Sequence, residues 1–419
     1  MRPVQRYRWS TGGILKSFRY ACTLAEPPEI PLPRIQPKPG TDMRVLYIGA
    51  GNINFGSEEG PWNHSQRLEQ ILGARLNVVG VVDPMTARAE SVLEAKRLTV
   101  ARPAYQRTTV FPTIQEAAKA LSSSPPHIVI VGSPPAFRGQ MQQPNNAEEQ
   151  LSTAFPSAGM FVEKPVSTGA VEQATMVGKF LESRKENIVS VGYMLRYSAA
   201  VQKMQQIIKD NGLTVMMTSG RYVMAYEASR KLAWWNKAVD CGPIVEQATH
   251  FVDLSRYFGG EIDLPSIAAH SIEWYERPGQ LSKIRVDESK IPEDQRIPRF
   301  TSATWKYDKG AIGHLEHGVA LQGQTFSTEF TVFADGYQMK LIDPYNRPTL
   351  YLRQPGSDTE QIMTFHDDDP FLSEMASFID TVEGVEPKIP ILSSYEDAVR
   401  TYEATWSIRW ASEKTRRGR

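Results

Sequence analysis

Cysteine is scarce. The 419 residues hold two, Cys22 and Cys241, far apart in sequence, which excludes a disulfide framework and points to a reducing compartment. Net charge is missing as well. Lys+Arg and Asp+Glu each number 47, so no global field draws the chain to nucleic acid or to an anionic membrane. No apolar run approaches the roughly 18 residues that a membrane-spanning helix needs; a soluble chain without a membrane partner is expected. Histidine is sparse too, with seven in all, and ligand spacing is lacking. His314 and His317 stand three apart in a strand-like run and point to opposite faces, while His64, His127, His270 and His366 stand alone. No metal is expected. What is present is ordinary: 41% hydrophobic and 22% charged residues make a globular balance, and the length allows two domains with cores of their own.

The N-terminus lacks acid. Arg2, Arg6, Arg8, Lys16 and Arg19 precede the first carboxylate, Glu26. That fits a mitochondrial presequence, a disordered extension, or a start placed ahead of Met43. Six prolines follow between residues 27 and 39, a stiff linker that joins no core. Residues 1–42 are read as an extension. The expected location is cytoplasmic, with mitochondrial as the alternative.

The first patterned stretch begins at Met43. Residues 44–48 form a short apolar run that ends in Gly49-Ala50-Gly51-Asn52-Ile53-Asn54-Phe55-Gly56. A strand running into closely spaced glycines and then a helix opens a dinucleotide-binding βαβ unit. Such glycines let the backbone approach a pyrophosphate at a helix N-terminus, so Gly49, Gly51, Asn52 and Ile53 are the candidate phosphate contacts. Asn54 stands at the third glycine position. The next strand, 77–82, ends in Asp83, placed to accept from a ribose 2′-hydroxyl. The gap from Gly51 to Asp83 exceeds the usual ~20 residues, and an insertion at 57–63 before a helix over 65–72 accounts for it. Helix patterns over 86–98, 113–121 and 147–155 then alternate with strands. One strand, 127–131, runs into Gly132-Ser133-Pro134-Pro135, and another ends in Glu163-Lys164-Pro165. Such alternation means a parallel sheet, with its ligand crevice at the C-terminal ends of the strands. Ser133, Pro134, Glu163 and Lys164 join the cofactor candidates on that edge, Lys164 at the nicotinamide end.

Past a helix over 168–184 and a strand over 187–191 the pattern changes. A helix over 199–210 leads into period-2 runs at 215–224, 267–275, 302–307, 311–321 and 327–341. Strands this close together argue for an antiparallel sheet in a second, α+β domain. Between them lies the stretch 241–254, the chemical centre of the chain. Gly242-Pro243 starts a helix and Gly259-Gly260 stops it. At about 100° per residue, Glu246, His250, Asp253 and Tyr257 share one face. Glu246, four residues before His250, is in reach to orient and charge the imidazole, as a general acid/base requires. Tyr193, Tyr197, Tyr226, Trp234 and Trp235 either line a pocket or belong to the core. Asp369 caps a helix over 371–382, and a last helix covers 395–413. The fold class is α/β, a doubly wound parallel sheet plus a large, mainly antiparallel one. Residues 43–167 form the dinucleotide domain and 168–390 the substrate domain. Residues 391–414 return as a helix toward the first domain, and 415–419 are a basic tail.

These landmarks together resemble the Gfo/Idh/MocA oxidoreductases, the glucose–fructose oxidoreductase and inositol dehydrogenase group, over roughly residues 43–414. The carriers are Gly49-Ala50-Gly51, Asp83, Glu163-Lys164-Pro165, the Val191–Tyr197 segment and residues 242–253. The resemblance implies a nicotinamide cofactor, with NAD preferred over NADP because Asp83 repels a 2′-phosphate, although Arg88 lies one helical turn on. It implies hydride transfer to or from a CH–OH or C=O group of a sugar, cyclitol or other ring compound. Lys164 would hold the reacting oxygen and His250 would take the hydroxyl proton. Glu246 stands where the family usually has Asp, and Cys241 where it commonly shows another glycine. Tyr193, Arg196, Tyr197, Trp235 and Asp253 are the candidate substrate contacts. Two other readings stay open: a redox-neutral or imine- or enone-reducing enzyme with bound cofactor, and a non-catalytic regulator on the same scaffold. Long alternating strands leave one sheet face needing cover, so a homo-oligomer is expected, a dimer or tetramer.

Overall fold

The computed structural model describes residues 40–57, 60–184 and 187–416. The basic extension with Cys22, and residues 417–419 of the tail, lie outside the described residues. Five strands run parallel from the start: β1 (Met43–Ile48), β2 (Leu76–Val82), β3 (Thr109–Phe111), β4 (Ile128–Val131) and β5 (Gly159–Val162). Between them come α1 (Asn52–Phe55), α2 (His64–Leu72), α3 (Thr86–Arg97), α4 (Arg102–Tyr105), α5 (Ile114–Ala120) and α6 (Ala147–Ala154). α7 (Val171–Ser183) then leads to β6 (Val189–Val191), and the sheet order is β3-β2-β1-β4-β5-β6. β4 and β5 are buried at every position, which is why they read as unbroken apolar runs rather than alternations. The order reverses between β1 and β4, and a crevice opens there at the carboxyl ends. The parallel sheet runs on to Val191, past residue 167 where the sequence reading ended the first domain. Val177 and Leu181 of α7 share one core with Val129, Val131 and Val162.

α8 (Ala199–Asp210) leads into β7 (Val215–Ala225), followed by α9 (Lys237–Asp240), α10 (Pro243–Glu246) and α11 (Thr249–Gly259). Seven strands complete a second sheet: β8 (Ile262–Ile272), β9 (Phe300–Tyr307), β10 (Ile312–Leu321), β11 (Ser327–Ala334), β12 (Tyr337–Ile342), β13 (Thr349–Arg353) and β14 (Gln361–Thr364). Its order is β14-β13-β12-β11-β7-β10-β9-β8, antiparallel except for the β7–β10 pair. α11 lies on one face. Its Phe251, Leu254 and Phe258 join Leu315, Val319, Phe330 and Val332 in a single core, where each large side chain contributes about 1.5–3 kcal/mol by leaving water. The other face carries Ser219, Arg221, His314 and Glu316, paired across β7 and β10. His314 rests there between Ser219 and Ser302, while His317 is buried on the α11 side. Three residues of separation in a strand put them on opposite faces, as expected.

α12 (Pro370–Val382) starts at Asp369, whose carboxylate accepts from Leu372 N. α13 (Tyr395–Lys414) ties the two layers. Tyr395, Ala398, Val399 and Tyr402 pack with α7 in the first core, and Ala404 and Ile408 belong to the second. Among the described residues no helix is long and apolar enough to cross a membrane.

Candidate active site

The glycine loop is built by sterics. Gly49 has φ +92, and a Cβ there would stand 3.0 Å from the Ser133 backbone, so β1 and β4 close on each other only without a side chain. Gly51 precedes α1, which ends after one turn at Gly56 with φ +103. Asn54 takes over the work of the third glycine by a different route. Fully buried, it donates from Nδ2 to the carbonyls of Gly49 (2.7 Å) and Ile48 (3.2 Å), and it occupies the space above Gly132, where a Cβ would lie 2.4 Å from its Oδ1. Asn52 donates to Ser57 Oγ, and Ile53 is half-buried beside it. Ser133 Oγ is sealed without a protein partner. Next to it Pro134 is exposed at the crevice.

Asp83 braces this loop. Its Oδ2 accepts from Ala50 N at 2.7 Å and its Oδ1 from Met85 N at 2.8 Å. Each oxygen keeps a second lone pair for a ribose hydroxyl. The cradle of Gly49, Gly51, Gly132 and Ser133, with an acid at the end of β2, fits a dinucleotide. The exposed Arg88 guanidinium lies 3.6 Å from where a Gly51 Cβ would stand. Calorimetry should show NAD bound more tightly than NADP, since Asp83 repels a 2′-phosphate; tighter NADP binding would overturn this.

Lys164, at the end of β5 and joined to Pro165 by a cis peptide, reaches across to α10. Its Nζ donates to the Glu246 carbonyl at 3.1 Å and lies 3.6 Å from Glu246 Oε1. The other carboxylate oxygen of Glu246 accepts from Trp234 Nε1 at 3.0 Å. Here the structure corrects the sequence reading. Residues 243–259 are not one helix: Ala248 N bonds back to Pro243 O, five residues away, and the chain restarts as α11 at Thr249. The break turns Glu246 toward Lys164 and Trp234, so it does not partner His250. Cys241 enters this turn with φ +58, a left-handed conformation that costs a non-glycine residue about 1–3 kcal/mol.

His250 follows on α11. Burial, and secondarily the Lys164 charge, push its pKa well below the ordinary 6.5. Its Nδ1 is sealed and unpartnered. The ring is held edge-on by Tyr193 (6.1 Å between centroids) and Tyr345 (6.0 Å), and Tyr193 OH is tied to Thr249 Oγ1 at 3.0 Å. Tyr222 stacks on His317 at 5.5 Å, and His317 Nε2 meets Gln247 Oε1 at 2.8 Å. Burial lowers the His317 pKa to about 3. Both imidazoles therefore fold neutral; the stability they contribute is present above 6.5 and is lost as pH falls through the folded values.

The remaining candidates part company. The Glu163 carboxylate is engaged within the protein; it meets His64 Nε2 at 2.7 Å and Lys164 N at 3.1 Å. Arg196 and Asp253 are engaged with each other. Arg196 grips Asp253 with two hydrogen bonds of 2.8 and 2.6 Å and Asp397 at 2.7 Å, while Thr401 Oγ1 donates to Asp253. Tyr197 OH accepts from Leu392 N. Trp235 is core, its Nε1 bonded to Ser229 O; its neighbour Trp234 is the one at the site. Tyr222, Gln247, Thr249, His317 and Tyr345 were not among the expected site residues. Only Gln247 and Thr249 lie within the singled-out stretch, and the strand and loop residues carry no spacing that marks them.

One buried acid behind the site yields a stability prediction. Glu374 on α12 is fully enclosed, with neither carboxylate oxygen partnered. Burial first, then Glu163 and Asp253, raise its pKa well above 4.5, against the opposing pull of Arg196 and Arg67. A raised folded pKa means stability is full below the unfolded value and is lost as pH rises toward the folded one. Glu374→Gln should therefore melt higher than the parent at neutral pH, with the gap closing as pH falls toward 4.5; a lower melting point at neutral pH would contradict this.

The chain matches the oxidoreductase family with an NAD-binding Rossmann fold over residues 43–193, and an oxidoreductase C-terminal domain over residues 196–337. The uncharacterized protein UNK4.17 of Schizosaccharomyces pombe is 43% identical over 381 residues, covering 90% of this chain and 93% of that one. Among solved structures, UDP-N-acetylglucosamine 3-dehydrogenase GnnA from Acidithiobacillus ferrooxidans superposes with a TM-score of 0.65 at 15% identity, over 90% of this chain and 99% of its own. The WlbA dehydrogenase from Chromobacterium violaceum, solved with NADH and UDP-GlcNAcA, gives 0.64 at 15% identity, over 91% and 97%. At such identities the likeness shows the fold.

Proposed function

Since the chain belongs to the Gfo/Idh/MocA oxidoreductases and carries their NAD-binding Rossmann domain, we propose that it transfers hydride between NAD and a CH–OH or C=O group of a sugar, cyclitol or other ring compound. The observation that carries this reading is that Lys164, from the C-terminal edge of the parallel sheet, bonds to Glu246 on α10, directly ahead of α11, which carries His250. Gly49, Gly51, Asn52, Ile53, Asp83, Ser133 and Pro134 would hold the dinucleotide, which when bound supplies the hydride acceptor or donor. Lys164 hydrogen-bonds the reacting oxygen and stabilises the alkoxide as it develops. The neutral His250 takes the hydroxyl proton, and run backwards it protonates a carbonyl under reduction. Glu246, fixed by Trp234, keeps the ammonium in place, which is where positioning adds rate. Tyr193, Tyr222, Tyr345 and Trp234 offer aromatic walls for a ring.

The test is formation of reduced nicotinamide from NAD with myo-inositol, D-glucose, D-xylose and UDP-N-acetylglucosamine. Turnover of added NAD supports the reading. Binding of NAD without turnover of any of them would favour the regulator, and retention of one bound cofactor through many turnovers would favour the redox-neutral cycle. The same proposal includes a two-fold dimer covering the open sheet face, on which Ile312 and Phe333 are exposed. A monomeric mass by light scattering at micromolar concentration would count against it.

A further inference from the structure

The lysine is held at its tip by Glu246, and its root is held by something the reaction itself does not use. α2 begins at His64 because Asn63 caps it, accepting from Gln66 N. The cap drops the His64 ring inward to 1% exposure, edge-on to Phe161 at 5.1 Å and to Phe371 at 6.4 Å. With a carboxylate opposite, Nε2 is the donor, and it meets Glu163 Oε1 at 2.7 Å. The second oxygen of Glu163 accepts the backbone N–H of Lys164 at 3.1 Å. Gly192 makes room for this, since a Cβ there would stand 3.0 Å from the same carboxylate. The Glu163 backbone is itself pinned, its N–H to Val131 O and its carbonyl by Arg138. A continuous strut therefore runs from the first residue of α2 through Glu163 to the peptide that carries Lys164.

We infer that His64 is a positioning residue for Lys164, acting through Glu163. A lysine on a flexible four-carbon stem places its ammonium only as well as its Cα is placed, and a displacement near 1 Å costs up to about 100-fold in rate. The inference rests on the reading of Lys164 as the group at the reacting oxygen. It gives Glu163 a task in that chemistry, without contact with cofactor or substrate.

Two substitutions separate this from packing. His64→Phe keeps an aromatic ring between Phe161 and Phe371 but removes the donor. His64→Gln keeps an N–H. Three quantities are measured: amide hydrogen exchange of the peptide containing Lys164, NADH binding by fluorescence, and NAD reduction with myo-inositol, D-glucose and UDP-N-acetylglucosamine as probes. In His64→Phe, exchange at Lys164 should speed up and kcat should fall about 10- to 100-fold, with KM and NADH affinity nearly unchanged. His64→Gln should recover most of both. Parent-like exchange and kcat in His64→Phe would overturn the inference. So would a loss of NADH affinity in step with kcat, which marks a collapsed glycine loop instead. Lys164→Ala is the control: activity lost there but kept in His64→Phe removes the strut's role and leaves the reading of the site standing.

Discussion

Lys164→Ala and His250→Ala should each lower turnover by about 10²–10⁴-fold while NADH affinity stays nearly unchanged. The lysine sits at the end of β5 with its ammonium at Glu246 of α10, so on the proposed mechanism its loss removes stabilisation of the alkoxide and little cofactor binding. The histidine is neutral because burial, and then the Lys164 charge, hold its pKa well below 6.5. On the proposed role of His250 as base, an imidazole already deprotonated gives no inflection of kcat/KM near 6.5; the acid limb should fall well below it. Lys164→Ala removes the second cause, so in that variant the limb should move up toward 6.5. Turnover of His250→Ala at the parent rate, or a parent limb centred on 6.5, would contradict this assignment.

Asp253→Ala should damage the fold rather than the kinetics. Asp253 is 1% exposed and meets Arg196 through two hydrogen bonds, and Arg196 in turn holds Asp397 on α13. Removing one partner of a buried pair strands the other charge, which typically costs about 3–5 kcal/mol. Thermal unfolding should show a large drop for Asp253→Ala and for Arg196→Ala, with KM of the surviving folded fraction close to the parent. Replacing both by apolar residues of similar volume should recover much of the loss, because a buried pair adds little over good packing. Unchanged stability with a raised KM would return Asp253 and Arg196 to the substrate site.

Asp253 also shows what a sequence carries and what it does not. The first domain was legible because its physics is local: Gly49 must lack a side chain, β4 and β5 are apolar throughout, and Asp83 ends its strand. Helix boundaries written in caps were legible too, as at Asp369. Glu246 was misread because periodicity places it on the face of His250, while the chain breaks just after it, where Gln247 engages His317, 70 residues away. Arg196 and Asp253 looked available because their partners are each other and a helix at the far end of the chain. Glu163 looked like a cofactor contact because its neighbour Lys164 belongs to the site, yet successive residues at a strand end point in different directions. Tyr345 lies in a loop between β12 and β13, where nothing in the spacing announces that it will edge against His250.

The Glu246 carboxylate serves Lys164 and not His250. A double-mutant cycle on kcat tests it directly, combining Glu246→Gln with Lys164→Met in one cycle and with His250→Gln in another. The geometry predicts coupling of about 0.5–3 kcal/mol between positions 246 and 164, with the effect of Glu246→Gln nearly vanishing once the lysine is gone and persisting without the histidine. Strong coupling between 246 and 250, with none between 246 and 164, would contradict it.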